Sequence, residues 1–272
     1  VTRALAIRAN AAVAATRART LRAAKAAWTS VPDYSDDGLA AWLDSIIPLL
    51  MAGQQTIATL TDIYIAAELS ELSQEVVQAV GIPAEMASGA ALRNGVPPEV
   101  EYERPFREIW YQLSQDKDFA DAVRLGEQRA MTMISTDLQL ARTHSARYAL
   151  SQSGPGLGVV GYRRVLGSGH SCELCQIAST QRYHIADLMP IHANCSCGVA
   201  PILGDKDPGQ RIDSAYLSED ATASDTSGKF APYFGTHILE VRQHGELGPV
   251  LTVRDQAFRG PSDIPSAAET AA

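Results

Sequence analysis

The spacing of apolar positions divides the chain in two. Up to about residue 157 they recur every three or four residues, the period of a helix with one buried face; beyond Gly158 the recurrence shortens to two, the period of a strand. Val1 to Trp28 reads as an alanine-rich helix, with Leu5, Val13, Leu21 and Trp28 on one side and most of its basic residues on the other. TSVPDYSDDG, Thr29 to Gly38, breaks it, and Asp36 or Asp37 is placed to cap a second helix. That helix runs from Leu39 to Leu72, with a kink or short break expected at Pro48 and a stripe of Ile57, Leu60, Tyr64 and Ala67.

SQEVVQAVGI and AEMASGAALRN read as short helices on either side of Pro83, and GVPPEV reads as a loop. Two further helices are expected between Tyr102 and Ser151. Pro105 sits in the first turn of one; Asp116 or Asp118 caps the other, whose core-facing stripe is Phe119, Val123, Ala130, Ile134, Leu138 and Ala141. SQSGPGLG stops that helix. Val159 to Leu166 then alternates as a strand, and GVAPIL returns as another. HILEVRQ and PVLTVRD flank HGELG as a β-hairpin, after an irregular linker from Asp205 to Lys229 and before a small, polar tail from Gly260. The expected fold is mainly α: a basic N-terminal helix over 1–32, a multi-helix body over 36–153, a small zinc-binding α+β module over 154–204, and a linker, C-terminal β-hairpin and extended tail over 205–272.

Composition adds a large core and a charge asymmetry. Hydrophobic residues make up 46% and aromatics only 6%, so the helices pack largely through small side chains. The net charge of −8 argues against a chain that coats nucleic acid over its whole surface. Residues 1–32 nevertheless hold no acid, while Arg3, Arg8, Arg17, Arg19, Arg22 and Lys25 are basic. That helix either approaches DNA phosphates, with Arg17, Arg19 and Arg22 as contacts, or docks on a partner. His144, between Arg142 and Arg147, reads as part of a solvated basic face. WLDSIIPLLMAG, the most apolar stretch, is short and contains Asp44 and Pro48, whereas a membrane span needs roughly 20 apolar residues. No apolar leader followed by a cleavage site opens the chain, so no secretory signal is expected.

The chemistry is concentrated in SCELCQIASTQRYHIADLMPIHANCSC, Ser171 to Cys197, which carries all 4 cysteines. Cys172-x2-Cys175 is followed after 16 residues by His192-x2-Cys195-x-Cys197. Two x2 knuckles can bring four ligands to the corners of a tetrahedron, the geometry zinc takes with thiolate and imidazole. Cys172, Cys175, His192 and Cys195 form that pair of knuckles. Cys197 competes with Cys195, because the two cannot easily both face inward from an extended segment; His170 and His184 are weaker candidates. Four of the five residues would hold a structural Zn2+, closed to reactive water. A disulfide joining the two halves of the segment, unligated thiols, and a Cys172/His192 thiol protease are the competing readings. Ser168, His170 and Ser171 in GSGHSC are too close in sequence to form a triad with one another, which leaves a protease pairing Ser168 or Ser171 with one of the histidines through the fold as a further competing reading. Neither HExxH nor the H-x-E of zinc deaminases occurs. Gly156, Gly158 and Gly161 match G-x-G-x-x-G, but they follow a helix and open a strand, the reverse of the dinucleotide-binding order, and read as a helix stop.

Taken together, STDLQLARTHSARYAL, then GYRRVLG, then C-x2-C and H-x2-C-x-C resemble the phage Mu F-like head morphogenesis (minor capsid) proteins. YERPFREIWYQLSQDKDFADAV and VRQHGELGPVLTV are similar to the versions found in phages of actinobacteria. The resemblance spans roughly Glu101 to Pro261. It implies a virion component inside the head near the portal, present in the host cytoplasm during assembly, with portal protein or major capsid protein as partners. It places the family's metal-type positions on Cys172, Cys175, His192, Cys195 and Cys197. Relatives labelled capsid maturation proteases set the alternative reading as an enzyme, and packaged DNA sets the alternative of a DNA-binding internal protein. No catalytic residue is assigned.

Overall fold

The structure is a computed structural model of the chain and describes residues 2–167, 175, 178–179, 182–185, 188, 190, 194–204, 206, 239–244 and 248–253. It is mainly helical, with a small antiparallel sheet beside the helices and a separate hairpin. Among the described residues no helix is long and apolar enough to cross a membrane.

Three long helices make the body: α1 (Thr2–Thr29), α2 (Asp36–Ser73) and α6 (Phe119–Leu157). The buried face of α1 is Ala6, Asn10, Val13, Thr16, Thr20, Ala24 and Trp28, spaced as a helix requires but built mostly from small and polar side chains. Leu5 and Leu21, expected on that face, are only half-buried. Gly53 of α2 lets Thr20 close in, since a Cβ there would sit 2.7 Å from the Thr20 Oγ1.

At the C-terminal end of α1, the ring of Trp28 lies edge-on to Trp42 at 5.0 Å and to Phe106 at 5.6 Å. Trp42 Nε1 donates to the Tyr102 carbonyl at 3.0 Å, so the buried indole is satisfied. All 3 tryptophans belong to this cluster, Trp110 through its contact with Phe106.

The cap of α2 is Ser35, whose hydroxyl accepts from the Gly38 N–H at 3.4 Å; Asp36 and Asp37 lie in the first turn, where they oppose the positive end of the helix rather than capping it. The helix continues through Pro48 without the expected break. It ends at Gln74, in the left-handed region at φ 64. The segment after it is not a helix. Ser70 Oγ accepts the Val77 N–H at 2.9 Å, and the Asp62 carboxylate accepts those of Val80 and Gly81 at 3.1 and 2.8 Å. These side chains take the amides that a helix would have used, which is why the chain from Gln74 to Ile82 is irregular.

A short α3 (Ala84–Ala87) and a 3-10 turn (Gly89–Arg93) replace the single helix expected after Pro83, and α4 (Pro98–Tyr102) starts inside the expected loop. Helix α5 (Arg104–Ser114) carries Pro105 in its first turn as expected. Asp118 starts α6, its carboxylate accepting the Ala120 N–H at 3.0 Å. Of the predicted α6 stripe, Ala130, Ile134, Leu138 and Ala141 are buried, but Phe119 is 58% exposed. From Ile134 to Thr143 every residue is buried, so this helix is enclosed on all sides. It runs on through Gly156 to Leu157 and stops at Gly158, whose φ of +75 suits glycine.

Strand β1 (Val159–Val165) is the centre of a three-stranded antiparallel sheet, between β2 (Arg182–Tyr183) and β3 (Gly198–Leu203). A Cβ on Gly161 would collide with the Tyr183 carbonyl. That glycine serves strand packing, which accounts for the glycine pattern without a nucleotide. Residues 161–165 are all buried, and the sheet packs on α2 and α6. Strands β4 (Leu239–His244) and β5 (Gly248–Val253) pair as the predicted hairpin, and Val250 is buried against Leu92, Leu140 and Ala141.

Candidate metal centre

Cys175, Cys195 and Cys197 are buried, and their sulfur atoms all lie within 4.8 Å of one another. None of the three is in a disulfide. The Cys175 and Cys195 sulfurs are 3.7 Å apart. A disulfide needs about 2.05 Å. Sulfurs about 2.3 Å from a shared tetrahedral ion sit about 3.8 Å from each other. The observed spacing therefore fits thiolates facing one ion.

Cys195 and Cys197 both face this point, which corrects the expected competition between them. Residues 195–197 are not extended in a strand; they follow Asn194 at φ 60, and this turn swings both sulfurs inward. The Cys197 N–H donates to the Cys195 sulfur at 3.4 Å, a contact that favours thiolate. Cys172, His192, His170, Ser168 and Ser171 lie outside the described residues. His184 is exposed and does not join the cluster.

Crowding makes three thiolates costly without a cation. The contact with Cys175 draws the Cys197 pKa down. The hydrogen bond with Cys195, burial and the neighbouring sulfur charge outweigh it and push the thiol well above its usual range; Arg164 opposes them. The nearby fixed charges are positive. Burial lowers the pKa of Arg142, while the charges of Tyr64, Cys197 and Cys195 favour its cation. Burial likewise lowers that of Arg17, and Cys195 favours its charged form. An electropositive shell of this kind suits a multi-thiolate site, whose net charge with a divalent ion is still negative.

The body holds the ligand loop through its carbonyls, one after another. Arg17 Nη1 of α1 donates to the Cys195 carbonyl at 2.8 Å. Arg142 Nη1 of α6 donates to that of Ser196 at 3.0 Å, and Gln139 Nε2 to that of Cys197 at 3.0 Å. Arg17 also reaches Ser135 Oγ at 2.8 Å through Nε and Asn194 Oδ1 at 3.5 Å through Nη2. On the far side of the sheet, Arg163 Nη1 donates to the Ser179 carbonyl at 3.1 Å. Tyr183 OH donates to the Ala178 carbonyl at 2.9 Å. Beside Cys197 a cavity of about 10 Å3 is lined by Tyr64, Arg142 and Arg164, room for about one water.

These contacts change the reading of two sequence features. Arg142 is buried and bonded, and His144 is half-buried with its pKa depressed to about 4 by burial and then by Arg147; only Arg147 is exposed, so no solvated basic face exists there. Of the three arginines considered for DNA, Arg17 is engaged inside the protein, while Arg19 and Arg22 are exposed. The sequence marks Arg17 and Arg142 only as basic surface residues, and Gln139 not at all, so none of the three is legible there as a support of the cysteine loop. The available signal was the run of polar residues Ser135 to Thr143 within a helix otherwise patterned for the core.

No protein-family model, curated protein or solved structure matches the chain.

Proposed function

We propose that the chain is a structural minor capsid or head morphogenesis protein of a tailed bacteriophage, and that its thiol cluster is a closed structural zinc site. Cys175, Cys195 and Cys197 supply three ligands; Cys172 or His192 supplies the fourth. One observation carries the structural reading: three buried sulfurs converge on one point while the loop that bears two of them is gripped, carbonyl by carbonyl, from the helical body. A catalytic site keeps one ligand position open for water or substrate, whereas a shell completed by Cys172 or His192 leaves none. The metal then acts as a staple for a segment with few large apolar residues, adding stability that a small core cannot.

The head-assembly role is supported by the resemblance of the Cys/His spacing, the preceding strand and the helical lead-in to phage Mu F-like proteins. In this role the helices supply docking surfaces for portal protein or major capsid protein inside the head. Mixing the purified full chain with portal and capsid proteins tests it. Co-sedimentation with either, and no processing of capsid precursor, is expected. Specific cleavage of the precursor, abolished by Cys172→Ala or His192→Ala, would replace this reading with a maturation protease.

A further inference from the structure

The first half of α1 is held by little apolar surface. Between Ala6 and Thr20 its buried positions are Ala6, Asn10, Val13, Thr16 and Thr20. Its strongest contacts there are polar and end on the cysteine module. Asn10 Nδ2 donates to the Leu166 carbonyl at 3.0 Å at the end of β1, and its Oδ1 accepts from Arg142 Nη2. Arg17 reaches Ser135, Asn194 and the Cys195 carbonyl. Gly198 lies where these threads cross, and a Cβ there would overlap the Arg142 guanidinium. The second half of α1 is different, being anchored by Ala24 and Trp28 in the aromatic cluster.

On the reading of the cluster as a metal site, we infer that metal occupancy and docking of residues 2–17 of α1 form one linked equilibrium. Arg17, Asn10 and Arg142 transmit it through the carbonyls of the ligand loop. With the ion bound, Cys195 and Cys197 are fixed, and the half-buried Arg17 and buried Arg142 guanidiniums find acceptors on the loop carbonyls. With the ion lost, the thiols no longer hold the turn at Asn194, those carbonyls move, and Arg17 and Arg142 lose part of the hydrogen bonding that offsets their burial. An unsatisfied buried cation is more costly than a frayed helix end, so the N-terminal half of α1 lifts away while the Trp28 end stays. Linkage requires the reverse as well: undocking α1 weakens metal binding by the same factor. Arg17 and Arg142 are thus positioning residues for the centre, and α1 is an arm gated by zinc.

Hydrogen–deuterium exchange on the full reduced chain, loaded with one equivalent of zinc or stripped by chelator, tests this. Stripping is expected to speed exchange at residues 2–17 at least tenfold and leave residues 24–50 unchanged. In a zinc-competition titration, Arg17→Met is expected to weaken affinity by roughly 10- to 100-fold, the usual effect of losing an outer-shell partner. Ala6→Glu disturbs α1 away from the loop and is expected to weaken affinity too, which keeps the test valid if Arg17→Met folds poorly. Lys25→Ala, on the exposed face, should change nothing. Unaltered protection of residues 2–17 in the stripped protein, or unaltered affinity in both α1 variants, overturns the linkage while leaving the metal site intact. Failure to bind zinc at the loading step overturns both, and is seen before any exchange is measured.

Discussion

Glu68 shows how a single buried acid marks the pH behaviour of this fold. It is fully buried on α2, and burial, followed by the charge of Glu71, pushes its pKa from 4.5 to about 8. The folded state therefore favours the neutral acid. That contribution is complete below about pH 4.5 and is lost as pH rises toward 8. At about 1.4 kcal/mol per pKa unit, Glu68→Gln should be more stable than the parent by roughly 2–4 kcal/mol at pH 8 and equal to it below pH 4.5. Urea unfolding across that range checks this; parallel profiles would contradict it. Glu101 is raised to about 9, first by burial and then by the Asp137 charge, with Arg93 opposing. There one guanidinium faces two carboxyls, and Asp137 also accepts from Tyr102 OH at 2.7 Å. Trp28, the hub of the aromatic cluster, makes a second residue-scale test: Trp28→Ala should cost about 3–5 kcal/mol in unfolding free energy, and a loss below 1 kcal/mol would mean the cluster is not the anchor of α1.

At the scale of elements, the long helices, strands β1 and β3 and the β4–β5 hairpin were legible because their signals are periodic. The α1, α2 and α6 patterns, the strand after Gly158, GVAPIL and the hairpin about HGELG all stand where apolar spacing placed them. The errors share a cause in side chains that bond to backbone or bury charge. SQEVVQAVGI has helical composition, yet Asp62 and Ser70, 18 and 7 residues earlier, claim its amides. Asp62→Ala should therefore destabilise by about 1–3 kcal/mol and release exchange protection at Val80 and Gly81 specifically; uniform loss across α2 would argue for a different role. Apolar spacing marks only one face of α6, yet its polar residues Ser135, Thr136, Asp137, Gln139, Arg142 and Thr143 are buried too. They are buried because α1, the 3-10 turn and the cysteine loop supply their partners, which no local pattern encodes.

At the scale of the whole molecule, the cysteine spacing marked the site but not its supports. The pairing of Cys175 with Cys195 and Cys197 follows from spacing; that both later cysteines face inward needed the turn at Asn194. Arg17 bonds to the Cys195 carbonyl and ties the basic helix to the cysteine loop. Of the three arginines considered for DNA, Arg19 and Arg22 are the exposed ones. If the protein binds DNA in the head, neutralising both should weaken binding and shallow its salt dependence, whereas Arg17→Met acts on metal affinity instead. A filter-binding series at several salt concentrations separates the two effects, and equal losses of DNA affinity from both changes would contradict the assignment.

The central claim is that buried thiolates grip a divalent ion as scaffolding. Elemental analysis of the reduced, purified full chain, with X-ray absorption at the bound metal's edge, tests it most directly. The account predicts one zinc per chain in a closed four-ligand shell containing at least three sulfurs at about 2.3 Å. A metal-free chain whose cysteine loop keeps its folded protection, or a zinc shell containing water oxygen, would contradict it.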